Sequence, residues 1–114
     1  MSAITTHILD TSMGRPASGV EVVLEVQRGR EDWLRIGRGE TDADGRLRTL
    51  MPPGAPPDPG IYRLVFHTRP YFQRSGASAF YPEVVVVFEV ASGESHYHVP
   101  LLLSRFGYST YRGS

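Results

Sequence analysis

The chain has 114 residues, twelve basic and twelve acidic side chains, and no cysteine. That length suits one domain (1–114) that buries roughly two-thirds of its unfolded surface, and the balanced charge leaves no basic stripe for nucleic acid and no polybasic patch for a membrane. Thiol catalysis and a Cys-based zinc site are excluded outright.

The opening MSAITTHILD lacks the positive region and long apolar run of a signal peptide, so cytoplasmic residence is the expectation. Ile4 to Asp10 reads as a strand with Thr5, His7 and Leu9 on one face and Ile4, Thr6 and Ile8 on the other. After the turn-rich TSMGRPASG, Val20 to Gln27 alternates cleanly, with Val20, Val22, Leu24 and Val26 inward. Trp33 to Thr41 forms a third strand, and Gly37 and Gly39 within it predict a bulge or bend. Asp44-Gly45 predicts a tight turn with positive φ at Gly45, leading Arg46 into a short run from Leu47 to Met51.

Residues 52–59, PPGAPPDP, hold five prolines and must form an exposed connection, because proline cannot join a sheet interior. Ile61 to Thr68 is another strand. Pro70 can open a short helix and Gly76 can close it, which predicts one helix over Pro70 to Ser75. The Val84 to Val90 strand is apolar on both faces, which predicts a place in the sheet centre or at a subunit contact. A further strand carries His96 and His98 on one face, with Tyr97, Val99, Leu101 and Leu103 on the other, and Phe106 to Tyr111 can form a last one. Seven or eight short strands, spaced roughly ten residues apart, and a single helix define an all-β sandwich.

The chemistry concentrates in the histidines and the tail. His67 ends a strand beside Arg69 and reads as structural or exposed, whereas His7, His96 and His98 all point off the assigned core face. Converging, they can form a His-rich zinc site or an acid/base pair for hydrolysis. Ser104, Ser109 and Ser114 stand in no nucleophile-elbow motif, and Asp10 is the only acid close in sequence to His7, so a Ser-His-Asp triad has little support. Arg46 and Arg112 offer a planar, permanently charged fork for an anionic or carbonyl-rich ligand. A terminal YSTYRGS is too rich in functional groups for a frayed end. These residues define a sandwich with a site lined by His, Arg and Tyr for a small polar ligand.

THILD, GRPA, TDADGR, FYPE, HYHVPLLL and the terminal FGYSTYRGS together resemble the transthyretin-like 5-hydroxyisourate hydrolases along nearly the whole chain. YRGS is the most specific block, because hormone-carrying transthyretins lose both this tetrapeptide and the histidines. Tyr81 stands where that family usually has Phe, Arg105 where it has Pro, and the 52–59 loop is unusually proline-rich. The resemblance implies a prealbumin-like sandwich of two four-stranded sheets with one short helix, assembled as a homotetramer (a dimer of dimers) with sites where the dimers meet. It implies hydrolysis of 5-hydroxyisourate to 2-oxo-4-hydroxy-4-carboxy-5-ureidoimidazoline in urate degradation, with no metal and no organic cofactor. His7, Arg46, His98 and Ser114 match the family's catalytic positions, and Tyr111, Arg112 and Gly113, with His7 and Arg46, its substrate-binding ones. Which histidine activates water, and whether His96 takes part, stays open at this level. Two other classes share parts of the pattern: a non-catalytic prealbumin-like module, and a small-molecule carrier of the transthyretin kind.

Overall fold

The computed structural model describes residues 2–114, which form nine strands and one helix. The strands are β1 (Ile4–Asp10), β2 (Arg15–Pro16), β3 (Glu21–Gln27), β4 (Trp33–Glu40), β5 (Arg46–Leu47), β6 (Gly60–His67), β7 (Val84–Val90), β8 (Tyr97–Leu103) and β9 (Tyr108–Thr110); the helix is α1 (Thr68–Arg74). One sheet has the order β4-β3-β6-β7 and is antiparallel throughout. The other runs β2-β1-β8-β9, with β5 also paired to β1.

This second sheet holds five strands where four are expected, yet it is only four lanes wide. β5 pairs with Thr6 and His7, and β2 pairs with Leu9 and Asp10, so the two short strands share one edge of β1 in series. The opposite edge of β1 is taken by β8, in parallel register.

The alternation in β1, β3, β6 and β8 turns one face of each strand inward, so that Ile4, Ile8, Val22, Leu24, Leu64, Phe66, Val99 and Leu101 bury together between the sheets. Removing this apolar surface from water is the main force holding the two sheets together. Asp10, also buried, ties the first strand to the helix: its Oδ1 accepts from the Ser12 and Met13 backbone N–H groups and the Ser12 hydroxyl, and its Oδ2 accepts from the Tyr71 hydroxyl at 2.7 Å. Burial pushes the Asp10 carboxyl up, but these hydrogen bonds together hold it below the ordinary value. Tyr71 responds in the opposite sense, pushed up to about 12 by burial and by the same bond.

Three expectations are corrected. The run from Leu47 to Met51 pairs only at Leu47, because beyond it the backbone crosses over β4. The Leu50 carbonyl oxygen lies 1.8 Å from where a Cβ on Gly37 would sit, so only glycine admits the crossing. The same region carries the expected bulge, a register shift of β4 against Leu24 and Glu25. Second, the helix starts two residues early, at Thr68, with Pro70 still inside the first turn where its missing N–H costs no intrahelical bond. It ends at Arg74, one residue before the expected Ser75, and Gly76 follows with φ 75°. Third, of the two places expected for Val84 to Val90 the sheet centre is ruled out: it is an edge strand, and Val87 is 57 % exposed. Its valine content reflects one face in the core and one left open.

Candidate functional site

The site is built where β1, β5, β8 and the C-terminal tail come together. Asp42 begins it. Its Oδ1 accepts from the backbone N–H groups of Asp44 and Arg46, and the expected tight turn follows, with Gly45 at φ 75° and its N–H donating to the Asp42 carbonyl. The Arg46 N–H first, and then the Asp44 N–H and the charges of Arg48 and Arg46, hold the Asp42 carboxyl below its ordinary value against desolvation. A Cβ on Gly45 would lie 2.4 Å from the Ile8 carbonyl oxygen, so this turn can press against β1 only as glycine. The result places Arg46 directly opposite His7 in the β1–β5 register.

On the other edge of β1, the parallel register sets Thr5 opposite His98 and His7 opposite Pro100. Thr5 is 3 % exposed, and its hydroxyl lies 2.8 Å from His98 Nδ1 and 3.3 Å from His96 Nε2. The tail then folds back along β8. Thr110 Oγ1 donates to the Pro100 carbonyl at 2.7 Å, and the Gly113 N–H donates to the His98 carbonyl at 2.9 Å. These bonds carry Ser114 back beside the histidines.

Together these elements enclose a cavity of about 270 Å³ lined by Thr5, Thr6, Arg46, Arg48, His96, His98 and Ser114. Burial, and then the nearby Arg46, His7, His96 and Arg48, hold the His98 pKa below the ordinary imidazole value. The imidazole is therefore neutral in the neutral pH range, with a lone pair available to take a proton.

Of the residues expected from sequence, Arg46, His98 and Ser114 line one cavity. His7 stands beside them, across the strand pair from Arg46, without lining it. Tyr111 is 58 % exposed, and the Arg112 guanidinium lies 4.6 Å over the Tyr97 ring and 3.6 Å from Glu94, away from the cavity. Gly113 contributes backbone, by its bond to His98. Among the described residues no three of His, Cys, Asp and Glu are grouped so as to hold a metal ion. Arg105 donates through Nε to the Ser78 carbonyl, and its own carbonyl accepts from Phe80 N–H, so it fastens the β8–β9 turn to the segment after the helix.

Sequence reasoning missed Thr5, Arg48 and the engagement of His96 with Thr5. The signal was present: Thr5 shares a strand face with His7, and Arg48 stands two residues after Arg46. Arg48 is fixed through its carbonyl, which accepts from the Ser2 N–H at 3.0 Å.

Fold and cavity together define a prealbumin-type β-sandwich with a compact histidine and arginine site on one sheet. The model described as "HIUase/Transthyretin family" matches residues 4–113, and the chain belongs to that family. It is 50 % identical over 111 residues to the 5-hydroxyisourate hydrolase of Salmonella typhimurium, covering 97 % of this chain and 80 % of that one. Among solved structures, the 5-hydroxyisourate hydrolase of Klebsiella pneumoniae superposes with a TM-score of 0.85 at 38 % identity, over all of both chains. The transthyretin of Sparus aurata superposes with a TM-score of 0.89 at 32 % identity, covering 99 % of this chain and 97 % of that one.

Proposed function

We propose that this protein is a 5-hydroxyisourate hydrolase of urate degradation, converting its substrate to 2-oxo-4-hydroxy-4-carboxy-5-ureidoimidazoline without metal or organic cofactor. Fold alone does not choose between hydrolase and carrier, since both kinds of relative share it. The observation that carries the reading is a neutral His98 beside Arg46 in one cavity, a combination suited to reaction and superfluous to a passive carrier. Opening a cyclic amide requires a base to take a proton from water, positive charge where the carbonyl oxygen becomes anionic, and a proton for the departing nitrogen. His7 and His98 serve as the acid/base pair. Arg46 binds the substrate and stabilises the oxyanion, a role its permanent charge suits. Ser114 holds the ring from within the cavity, and Tyr111, Arg112 and Gly113 of the same tail complete the hold only in the tetramer, since within one chain the Arg112 guanidinium lies away from the cavity.

The working form in this reading is a cytoplasmic homotetramer, a dimer of dimers with its sites between dimers. It is supported by the outer edges of β7 and β9, which have no strand partner among the described residues, and by the exposure of Val87, Tyr108 and Tyr111 around them. Among the described residues no helix is long and apolar enough to cross a membrane. Following the ultraviolet absorbance of freshly generated 5-hydroxyisourate, with and without protein, tests the activity: decay no faster than the spontaneous rate overturns it. A monomeric mass by light scattering at micromolar concentration overturns the assembly.

A further inference from the structure

We propose that Thr5 is a positioning residue that links His96 and His98 into a proton relay, so that His98 can act first as base and then as acid. This rests on the hydrolase reading above and refines its acid/base pair: His98 handles both proton transfers, and His7 adds positive charge beside it. It begins from one oxygen between two imidazoles, Thr5 Oγ1 at 2.8 Å from His98 Nδ1 and 3.3 Å from His96 Nε2.

A hydroxyl has one proton to give and lone pairs to receive, so it can donate to only one of these nitrogens at a time. In the first arrangement His98 Nδ1–H donates to Thr5 Oγ1, and the Thr5 O–H donates to His96 Nε2. The other ring nitrogen, His98 Nε2, then bears a lone pair and is a base. In the second arrangement His96 Nε2–H donates to Thr5, and the Thr5 O–H donates to His98 Nδ1. His98 Nε2 then carries a proton and is an acid. The hydroxyl thus makes the two histidines' tautomers mutually dependent.

The proton count closes. Water attacks the substrate carbonyl and gives its proton to His98 Nε2. The His98 Nδ1 proton passes to Thr5 Oγ1 as the Thr5 proton passes to His96 Nε2, so the charge left by deprotonating water comes to rest on His96 and His98 stays neutral. As the ring C–N bond breaks, His98 Nε2–H protonates the departing nitrogen while the excess proton on His96 returns through Thr5 to His98 Nδ1, so the ring is never left without a proton. One proton leaves water, one reaches nitrogen, and both imidazoles are restored.

Two features favour this division of labour. Arg46 on β5, Arg48 after it and His7 on β1 all add to the positive charge around His98, and burial also disfavours its charged form. Charging it during turnover is costly, which the relay avoids. His96 lines the same cavity, but its other side borders a second one of about 290 Å³, beside Ser2, Ala3 and the Gly54–Pro56 loop, whose lining carries no other ionisable side chain. It is the better resting place for a transient proton.

The test compares Thr5→Val, which removes the hydroxyl at similar shape, with Thr5→Ser, which keeps it, and with His96→Asn. In protein labelled with ¹⁵N-histidine, the ring-nitrogen shifts of His98 report its tautomer whether or not the protein turns over. Those shifts should change in Thr5→Val and stay as in wild type in Thr5→Ser. Turnover of 5-hydroxyisourate should fall by at least about tenfold in Thr5→Val, less than the roughly hundredfold or more for losing an acid/base group outright, with Thr5→Ser close to wild type. A proton held on His96 fixes His98 as an acid, so the acidic limb of the kcat profile should be reshaped by His96→Asn. Unchanged His98 shifts in a folded Thr5→Val, equal turnover losses in the Val and Ser variants, or an unaltered acidic limb in His96→Asn would each overturn the relay. Should Thr5→Val not fold, the Ser and His96→Asn arms still decide. If wild-type protein fails to hydrolyse 5-hydroxyisourate, the hydrolase reading falls, and the nitrogen shifts alone judge the hydrogen-bond coupling.

Discussion

Gly113 lies so close to His98 that a Cβ placed on it would stand 2.6 Å from the imidazole Cδ2 and 3.2 Å from Pro100 Cγ. The tail therefore lies flat on the ring, held by the Gly113 N–H to His98 carbonyl bond, and even one methyl would part them. Gly113→Ala should keep the fold but displace the imidazole or the tail. A displacement near 1 Å is enough to cost on the order of a hundredfold in rate. Steady-state kinetics with circular dichroism checks this; wild-type turnover would show that the tail can lift without consequence.

His98→Asn keeps polarity and approximate size but cannot exchange a proton near neutral pH. Its turnover should fall at least about a hundredfold, the scale for a lost acid/base group. His96→Asn should lose less. The depressed His98 pKa also ties this residue to stability. The unfolded chain takes up the proton first as pH falls through about 6.5, so wild type should lose stability from there down to the folded-state pKa. His98→Asn should lack that part of the decline, as thermal unfolding followed across the range will show.

Tyr71→Phe removes the hydroxyl that donates to Asp10 Oδ2. A hydrogen bond to a charged acceptor of this kind stabilises by about 1.5–3 kcal/mol, and denaturant unfolding should register a loss of that order. Because the Asp10 pKa is lowered in the fold, its contribution is complete above the unfolded carboxylate pKa and is lost as pH falls through the folded value. The difference between wild type and Tyr71→Phe should therefore shrink in strong acid. A difference that is constant with pH would assign the effect to packing instead.

Removing residues 111–114 takes Ser114 out of the cavity and releases the backbone bond to His98. Turnover should collapse while stability changes little, since Tyr111 is largely exposed and little apolar surface leaves the core. Rates beside a thermal melt make the comparison. Full activity would leave His7, Arg46 and His98 to work without the tail.

Much of this was legible in the residues because strand alternation is a strong signal: the facing of Thr5 and His7, of His96 and His98, and of the valines of β3 follows from period two alone. The Asp44-Gly45 turn was legible because only glycine accepts its backbone angle cheaply. What escaped depends on partners distant in sequence. Nothing local says that β8 pairs with β1 in the register that sets Thr5 against His98. Likewise nothing local says that Leu50 crosses over Gly37, or that β7 lies at an edge. Arg112 was read by charge, whereas its direction is set by the Tyr97 ring and by Glu94.

The parallel pairing of β1 with β8 has a consequence for how the molecule comes into being. The sheet β4-β3-β6-β7 draws on one continuous segment, residues 21–90, and can close by antiparallel steps between its own members. The site requires Thr5 to find His98 across 93 positions, a contact with a high loop-closure cost that arrives late in assembly. Catalytic competence should therefore appear after most of the sandwich has formed, and a chain arrested before that step would look nearly native yet be inert. The same pairing leaves little room for error: a slip of one residue would turn Thr5 away from the histidines and exchange core for solvent along the whole strand. Correct register is thus enforced by the apolar interior, and the active centre inherits its precision from that interior.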